Sequence, residues 1–542
     1  MQPYQEVTAL RKEGCLEEAY SRGYELLKEY PEDEKLRNSI GWVLYEKIKN
    51  IVNLAHQPKT TISEKHSEEI RQILRKYAAL KLSRPDLLFS LLLAQTIRFP
   101  KELEFFPKFM QWAGIESFRI EDYRVEKQSD KIFEPLIEKA ARETGKIAQG
   151  WKGDSDLQEF SILLINNALL QAEVQKPEWL HYHKALLLKQ LGRLEEAKTL
   201  LLSFIQVKRN EFWAWRALGK VVENSDTSLA LALYAKACLT CNDLNFGVGV
   251  FEDLSRLAAH EGKISLAKWA ADQAFTTRNQ NQWKIPQSLR ELLEADWYSQ
   301  AKVIISAKEV LLDLAADAEK VIWVNCPRYS ANFLGIFTTQ SGKQMAKFGL
   351  LSNRCSQELA SPARGLLNNV NLEIGEPVTV TVDETDEHRT VVLMEKRQSG
   401  IHFDQLERIY GIVDHHHEGK AFIYLNPQKQ FTLTYTDFPV IQTMKPGMSI
   451  EMICARHRDR INPYQIFAVS FRQTENISLV VGVLRLHPNG FGFVGDAFVS
   501  PELASQLKDG QEIHLIVAKK LDKRKNQLGW KAIALLTYEP KC

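Results

Sequence analysis

The chain has 542 residues, with 70 Lys+Arg against 68 Asp+Glu and a formal net charge of +2. That length exceeds one hydrophobic core and, at roughly 150 residues per domain, calls for about three or four domains. With 44% hydrophobic and 25% charged residues the composition excludes wholesale disorder, and the charge balance confines any nucleic-acid surface to a local patch. The seven cysteines are too sparse and irregular for a disulfide framework. The opening MQPYQEVTALRKEG lacks a basic segment followed by an apolar run. The greasiest stretch, Leu87–Ala94, has eight residues, where a membrane span needs about 20. The expectation is a soluble protein of a reducing compartment, the cytoplasm.

From Met1 to about Ala301 the text is helical: Lys, Glu, Leu and Ala dominate, and apolar residues recur at intervals of three and four. A degenerate repeat runs through this half. A small residue is followed four and seven positions later by further small or apolar ones, at Ala19–Gly23–Leu26, Ala197–Leu201–Phe204, Ala230–Tyr234–Ala237 and Ala267–Ala271–Ala274. The last three first positions are 33 and then 37 residues apart. Gly14, Gly192 and Gly262 precede such alanines, and Trp179 and Trp215 with Leu218–Gly219 hold the large and close-packing positions of a first helix. The pattern resembles the tetratricopeptide repeat, a helix–turn–helix unit of about 34 residues. The likeness is good over Pro177–Thr277, fair over Tyr4–Ile48 and poor over Ile62–Ala148, which reads as helical without a register. It implies a stacked solenoid whose groove docks a protein partner around Trp179, Tyr182, Trp215 and Leu218, some of which must also close the core. An unrelated helical bundle stays open as the alternative. Residues 301–320 read as a helical connector.

From about Glu319 the period changes. Short β-branched and aromatic runs, VIWV, PVTVTV, RTVVLM, AFIY and IHLIV, alternate with Gly, Asn, Asp and Pro turns. The most informative stretch is Val481–Leu507, VGVLRLHPNGFGFVGDAFVSPELASQL. Its spacing predicts a strand over Val483–Leu486, a turn over His487–Gly490, a second strand over Phe491–Val494 and a third over Ala497–Val499. Alternation along a strand puts Phe491 and Phe493 on one face, and the third strand adds Phe498. Aromatics on an open sheet face form a platform on which unpaired bases stack, at roughly 1–3 kcal/mol per base. Arg485 and His487 supply a cation and a further ring.

NGFGFV followed by DAFVSP resembles the two RNP-type motifs of cold-shock and S1-like domains, five-stranded OB barrels that bind single strands. It is similar to the accessory barrel of bacterial exoribonucleases of the RNase II/RNase R type, from about Val481 to Leu536. The resemblance implies stacking roles for Phe491, Phe493 and Phe498, with Arg485 where a lysine of the first strand is usual. Leu486 and Ser500 depart from it, standing where cold-shock proteins carry tryptophan and histidine. Core phenylalanines of some other small barrel are the competing reading. Tyr410–Ala455 has the same order of strand, polar turn and aromatic strand, with Phe422 and Tyr424 two apart and sharing a face. Residues 321–397 read as a further OB-like barrel without the glycine–phenylalanine signature.

Other motifs receive plainer readings. His415–His416–His417 reads as a solvated hairpin turn, since neighbours on a strand alternate faces and cannot share one metal ion. Cys238 and Cys241 read as helix packing, with no second CxxC or HxxxH at a suitable distance. The acidic run Asp383–Glu387 reads as a hairpin turn. Basic clusters stand at Arg456–Arg460 and at Lys519, Lys520, Lys523, Arg524 and Lys525, both in expected inter-strand loops; the second is the better placed to touch a phosphate backbone. No P-loop, HExxH, GxSxG or Rossmann fingerprint is present.

The whole reads as an α + β multidomain chain: a helical solenoid over 1–300 (clearest over 177–277), a connector over 301–320, and OB-type modules over 321–397, 401–476 and 480–542. The expected function is a non-enzymatic adaptor, its barrels holding single-stranded RNA or DNA and its solenoid a protein partner such as a helicase or nuclease. Tetratricopeptide repeats joined to S1/cold-shock-like barrels resemble accessory proteins of bacterial conflict systems, and a role in RNA metabolism fits equally. No cofactor and no metal are expected. The alternative is a protein-interaction scaffold whose barrels have lost nucleic-acid binding.

Overall fold

Antiparallel helix pairs build the first of two units, Met1–Ile322, and strands build the second, Trp323–Cys542. The computed structural model describes residues 2–54, 63–99, 103–128, 131–302, 304, 306–352, 355–363, 366–367, 370–384, 389–458, 460–522 and 527–536.

The clearest helix pairs are Pro177–Gln190 with Leu194–Lys208, Phe212–Val222 with Thr227–Thr240, and Leu244–His260 with Ile264–Gln280. Turns and caps come from the residues that the sequence marks. Gly192 and Gly262 take φ +77° and +69°, and Asp226 accepts from the Leu229 amide at 2.9 Å. The small residues of the repeat face the neighbouring helix. Ala197, Ala230 and Ala267 are fully buried, and a Cβ on Gly219 would meet the Tyr234 ring at 2.6 Å, so glycine sets the approach of that pair. Trp215 and Leu218 are also fully buried, with Trp215 Nε1 donating to the Arg209 carbonyl at 2.7 Å. They close the core and do not line an open groove, which corrects their expected role as partner contacts.

Upstream, Pro3–Lys12, Leu16–Glu29 and Glu34–Leu54 pack together, with Gly23 against Ile40. The span read as wholly helical also holds a small hairpin, β1 (Glu126–Gln128) with β2 (Lys131–Phe133). Strands this short leave no readable alternation. The helix Ala307–Ile322 does not stand free: it packs along Thr227–Thr240, Lys236 pairs with Glu319, and the Gln206 amide donates to the Ile322 carbonyl at 2.7 Å.

Three five-stranded modules follow. The first comprises β3 (Arg328–Thr338), β4 (Gln344–Ser352), β5 (Cys355–Pro362), β6 (Pro377–Asp383) and β7 (Thr390–Lys396), ordered β5-β4-β3-β6-β7. The second comprises β8 (Glu407–His417), β9 (Lys420–Asn426), β10 (Lys429–Thr434), β11 (Ser449–His457) and β12 (Arg460–Ala468), ordered β10-β9-β8-β11-β12. In the third, β13 (Ile477–Val483) and β14 (Arg485–Leu486) are two stretches of one strand; β15 (Gly492–Val494), β16 (Ala497–Val499), β17 (Glu512–Asp522) and β18 (Gln527–Leu535) complete it. Its order is β13-β17-β18-β16-β15-β14. In every module the first strand pairs with the second and fourth, the second with the third, and the fourth with the fifth, which is OB-type connectivity. Alternation fills each interior: Val378, Val380 and Val382 in the first, Val413, Ile423 and Met452 in the second, Leu484, Val494, Val499, Leu515 and Val517 in the third.

The modules are fused side by side. β5 runs parallel to β11, Leu334, Leu406, Ile453 and Ala455 pack together, and Glu358 accepts from Asn462 (2.8 Å) and Tyr464 (2.7 Å). At the next seam Ile412 and Tyr424 pack on Ile477, Ile516, Ala518 and Ile533. Gly447, at φ +87°, lies against Ala534, where a Cβ would stand 2.5 Å from the alanine methyl.

One buried group in the helical unit ties stability to pH. His183 lies in the core with Gln149 Nε2 3.0 Å from its Nδ1. Burial first, then Lys146 and Arg142, hold its pKa down at about 3 against an ordinary 6.5. The unfolded chain takes up a proton that the folded chain refuses, so this contribution is complete above pH 6.5 and is lost as pH falls towards 3. The loss is about 1.4 kcal/mol per pH unit from this group. Denaturant unfolding of the wild type and His183→Gln at stepped pH, followed by helical circular dichroism, should give stability curves that diverge below pH 6.5; parallel curves would mean that His183 carries no such linkage.

Candidate nucleic-acid interface

The first hairpin of the third barrel is set by its turn. The His487 amide donates to the Phe491 carbonyl at 2.7 Å, the Gly490 amide to the His487 carbonyl at 2.9 Å, and Gly490 takes φ +84°. Gly492 follows, buried between β14 and the core. A Cβ there would meet Leu484 Cδ1 at 2.8 Å and the Arg485 carbonyl oxygen at 3.0 Å, so only glycine lets β15 lie this close. Leu484, Val494 and Val499 are buried, and alternation sends Arg485, Phe493 and Phe498 outward. Pairing extends the outward row: Arg485 opposite Phe493, Phe493 opposite Phe498, and Phe498 opposite Lys531.

The three phenylalanine rings meet on that face. Centroids are 5.8 Å apart for Phe491–Phe493, 5.6 Å for Phe491–Phe498 and 5.7 Å for Phe493–Phe498. His487 stacks on Phe491 at 4.3 Å and 10°. Phe493 is 41% exposed, and Phe491 and Phe498 are half-buried. Among the described residues neither Arg485 nor Lys531 makes an ion pair, so both charges are open to an anionic backbone. Lys531 escapes a reading of the sequence because only the parallel β16–β18 pairing brings it beside Phe498.

Several other expected contacts are differently placed. Lys519 and Lys520 belong to strand β17 and not to a loop. The Lys519 ammonium lies 5.2 Å from the Trp530 ring centre, and Lys520 pairs with Asp414 at 2.5 Å. Lys523, Arg524 and Lys525 lie outside the described residues, as do residues 385–387 of the acidic run. Arg456 is in β11, held by Glu407 at 2.6 and 2.9 Å, so strand pairing and an ion pair replace the expected free loop.

The triple histidine also departs from expectation. His415, His416 and His417 end strand β8, and the turn is Glu418–Gly419, at φ +45° and +75°. His416 is pinned between Tyr435 Oη and the Met444 carbonyl, both at 2.7 Å, whereas His415 stacks on Phe422 at 4.4 Å and 5°. Phe422 and Tyr424 share a face of β9, but their surroundings differ. Tyr424 is 4% exposed, its hydroxyl donates to the Lys519 carbonyl, and burial pushes its pKa up to about 12. The third barrel covers it, so it cannot stack a base. Phe422 stays half-buried beneath His415.

In the helical unit Trp179 and Tyr182 sit in a half-buried aromatic cluster. Trp179 stacks on Trp213 at 5.5 Å and 19°, and Tyr182 on Phe204 at 4.7 Å and 29°. A separate charged network joins the first helices of successive pairs: Arg216 and Lys220 reach Asp253 at 2.7 and 2.6 Å, and Arg256 pairs with Glu223. Sequence reasoning missed it because charges spaced along a helix read as a solvated face. Cys238 is buried, and burial pushes its thiol pKa well up, as suits a packing residue.

Residues 478–535 match the family model described as S1/CSD-like domain 2 of the TOTE conflict systems, which covers the third barrel and its glycine–phenylalanine hairpin. Residues 178–318 match a domain of unknown function, DUF7017. No curated protein matches the chain. Among solved structures, a Rap protein complexed with Competence and Sporulation Factor shares 15% identity over 59% of this chain and 89% of its own, with a TM-score of 0.29. Drosophila Unr CSD456 shares 12% identity over 40% of this chain and 99% of its own, with a TM-score of 0.15. The C-terminal module is thus S1/CSD-like. Among the described residues no helix is long and apolar enough to cross a membrane.

Close packing and exposure predict opposite responses at adjacent positions. Gly492→Ala should destabilise the barrel by about 1–3 kcal/mol, because core and backbone atoms flank the missing Cβ. Phe493→Ala removes an outward ring and should cost about 1 kcal/mol or less. Equilibrium urea unfolding of both variants checks this; an equal loss from Phe493→Ala would make that ring part of the core.

Proposed function

We propose that the chain is a non-enzymatic adaptor: its third barrel holds single-stranded nucleic acid, with RNA the expected form, and its helical unit docks a protein partner. The observation that carries this reading is the outward platform of Phe491, Phe493 and Phe498 between Arg485 and Lys531, neither cation being paired to a carboxylate among the described residues. Bases of a single strand expose the π-faces that a duplex hides by stacking, so such a platform selects unpaired strands with little preference for sequence. The flanking cations guide phosphates without reading bases.

The match of the third barrel to a domain of the TOTE conflict systems supports a role in a conflict system; the cytoplasmic setting and a helicase or nuclease partner belong to the proposal, and RNA metabolism is the second setting. For the partner, support comes from the half-buried cluster of Trp179, Tyr182 and Trp213, large rings of the kind that anchor protein interfaces. The competing scaffold reading draws on Leu486 and Ser500, and on the binding of Lys520 to Asp414 and Arg456 to Glu407.

Fluorescence anisotropy with labelled single-stranded RNA and DNA, across a salt series, tests the reading. Phe491→Ala combined with Phe493→Ala should weaken binding by roughly 2–6 kcal/mol, two stacked bases' worth, while the barrel remains folded. No binding by the wild type at low salt would leave the scaffold as the better account.

A further inference from the structure

We infer that the second and third barrels carry one continuous strand-binding track, in which the His415–Phe422 stack is a second base-stacking station; this rests on the third barrel's reading as a single-strand binder and extends it. The two stations use the same device in the same hairpin of each module, His487 and Phe491 closing the turn and His415 facing Phe422 two rungs back from it. β8–β9 and β14–β15 each join the first and second strands of a module, and each hairpin lays a histidine flat on a phenylalanine: His415 on Phe422 at 4.4 Å and 5°, His487 on Phe491 at 4.3 Å and 10°. Neither pair is needed inside. Val413, Ala421, Ile423, Ile450 and Met452 fill the second barrel's core, and the His415 side chain is 52% exposed. An exposed ring already stacked on one face offers the other to a further flat ring, and a base laid there continues the stack.

A chain of neighbours through the buried seam sets how far apart the stations lie. Phe498 is opposite Lys531, and Lys531 is opposite Ala518, which belongs to the seam with Ile412 and Tyr424. Two residues further along β17, Lys520 pairs with Asp414 Oδ1 at 2.5 Å, and Asp414 Oδ2 lies 3.0 Å from His415 Nδ1. At about 5 Å per strand and 3.4 Å per residue the path from Phe498 to His415 is about 20 Å, within reach of one bound strand. Asp414 does not repel a phosphate strongly on this path, since its side chain is 7% exposed and both oxygens face Lys520 and His415. The apolar seam and the bond from the Tyr424 hydroxyl to the Lys519 carbonyl fix the distance between stations. Once a strand holds the first station, binding at the second is therefore intramolecular, and affinity grows with strand length.

Oligouridylates of about 4 and about 12 nucleotides, spanning the site sizes of OB barrels, separate the two stations on the full chain. His415→Ala with Phe422→Ala should leave the short strand's affinity unchanged and lower that of the long strand about tenfold or more. His415→Ala alone, which removes the exposed ring and its contact with Asp414 and leaves Phe422 in place, should give the same split in smaller measure if the double variant unfolds. Phe491→Ala should weaken both lengths. A long strand bound as tightly by the His415 and Phe422 variants as by the wild type overturns the second station, as does an equal loss for both lengths in a folded variant. Wild-type chain that binds neither length overturns the single-strand reading itself, a different result from either.

Discussion

Strand β15 can lie against the Arg485 carbonyl only because Gly492 has no side chain, and the outward face of the third barrel depends on that approach. With β14 and β15 in contact, Leu484, Val494 and Val499 close the interior, and the alternate positions of each strand are left to point out. The row Arg485, Phe493, Phe498, Lys531 follows from pairing, not from any attraction between those side chains. The rings still gain from meeting. Centroids 5.6–5.8 Å apart fall in the range of aromatic pairs, and these contacts offset part of the cost of leaving apolar surface in water.

Three modules share one connectivity and differ in what covers their outer faces. The first and second meet along the β5–β11 junction, where Glu358 satisfies Asn462 and Tyr464 across the boundary. The second gives a further face to the seam, burying Ile412 and Tyr424 against the third. Phe422 and Tyr424 make the consequence concrete: two residues apart on one face of β9, one is capped by a single histidine and the other is sealed by a neighbouring barrel. Which surface is free to bind is decided by module packing more than by the strand that carries the residue.

The difference between local and distant determinants also explains what the sequence makes legible. Helical period, the small residues at Ala197, Ala230 and Ala267, and the alternation of NGFGFV are all set within a few residues, and the folded chain keeps them. Tyr424, Lys520 and Arg456 look free along the chain because Lys519, Asp414 and Glu407, which engage them, are 95, 106 and 49 residues away. Lys531 is hidden for the converse reason, since a parallel pair puts it beside Phe498. Trp215 and Leu218 mislead because an apolar residue of a repeat helix serves core and groove with the same letter, and only burial separates them. The triple histidine misleads because a bulge between Val413 and His415 resets the faces, sending His416 to Tyr435 and Met444 and leaving His415 on Phe422.

A net charge of +2 gives the chain little long-range pull on an anionic strand, and the distribution of its cations sharpens the point. Lys520 and Arg456, one from each basic cluster, pair with Asp414 and Glu407. Arg485 and Lys531 are unpaired among the described residues, and they flank rings on both sides. Counterion release scales with the number of phosphates neutralised, so on the proposed reading the share of affinity from Arg485 and Lys531 falls as salt rises while the share from stacking on the rings is kept. A platform of this kind discriminates by strandedness more than by charge: a duplex offers the same phosphates and withholds the base faces.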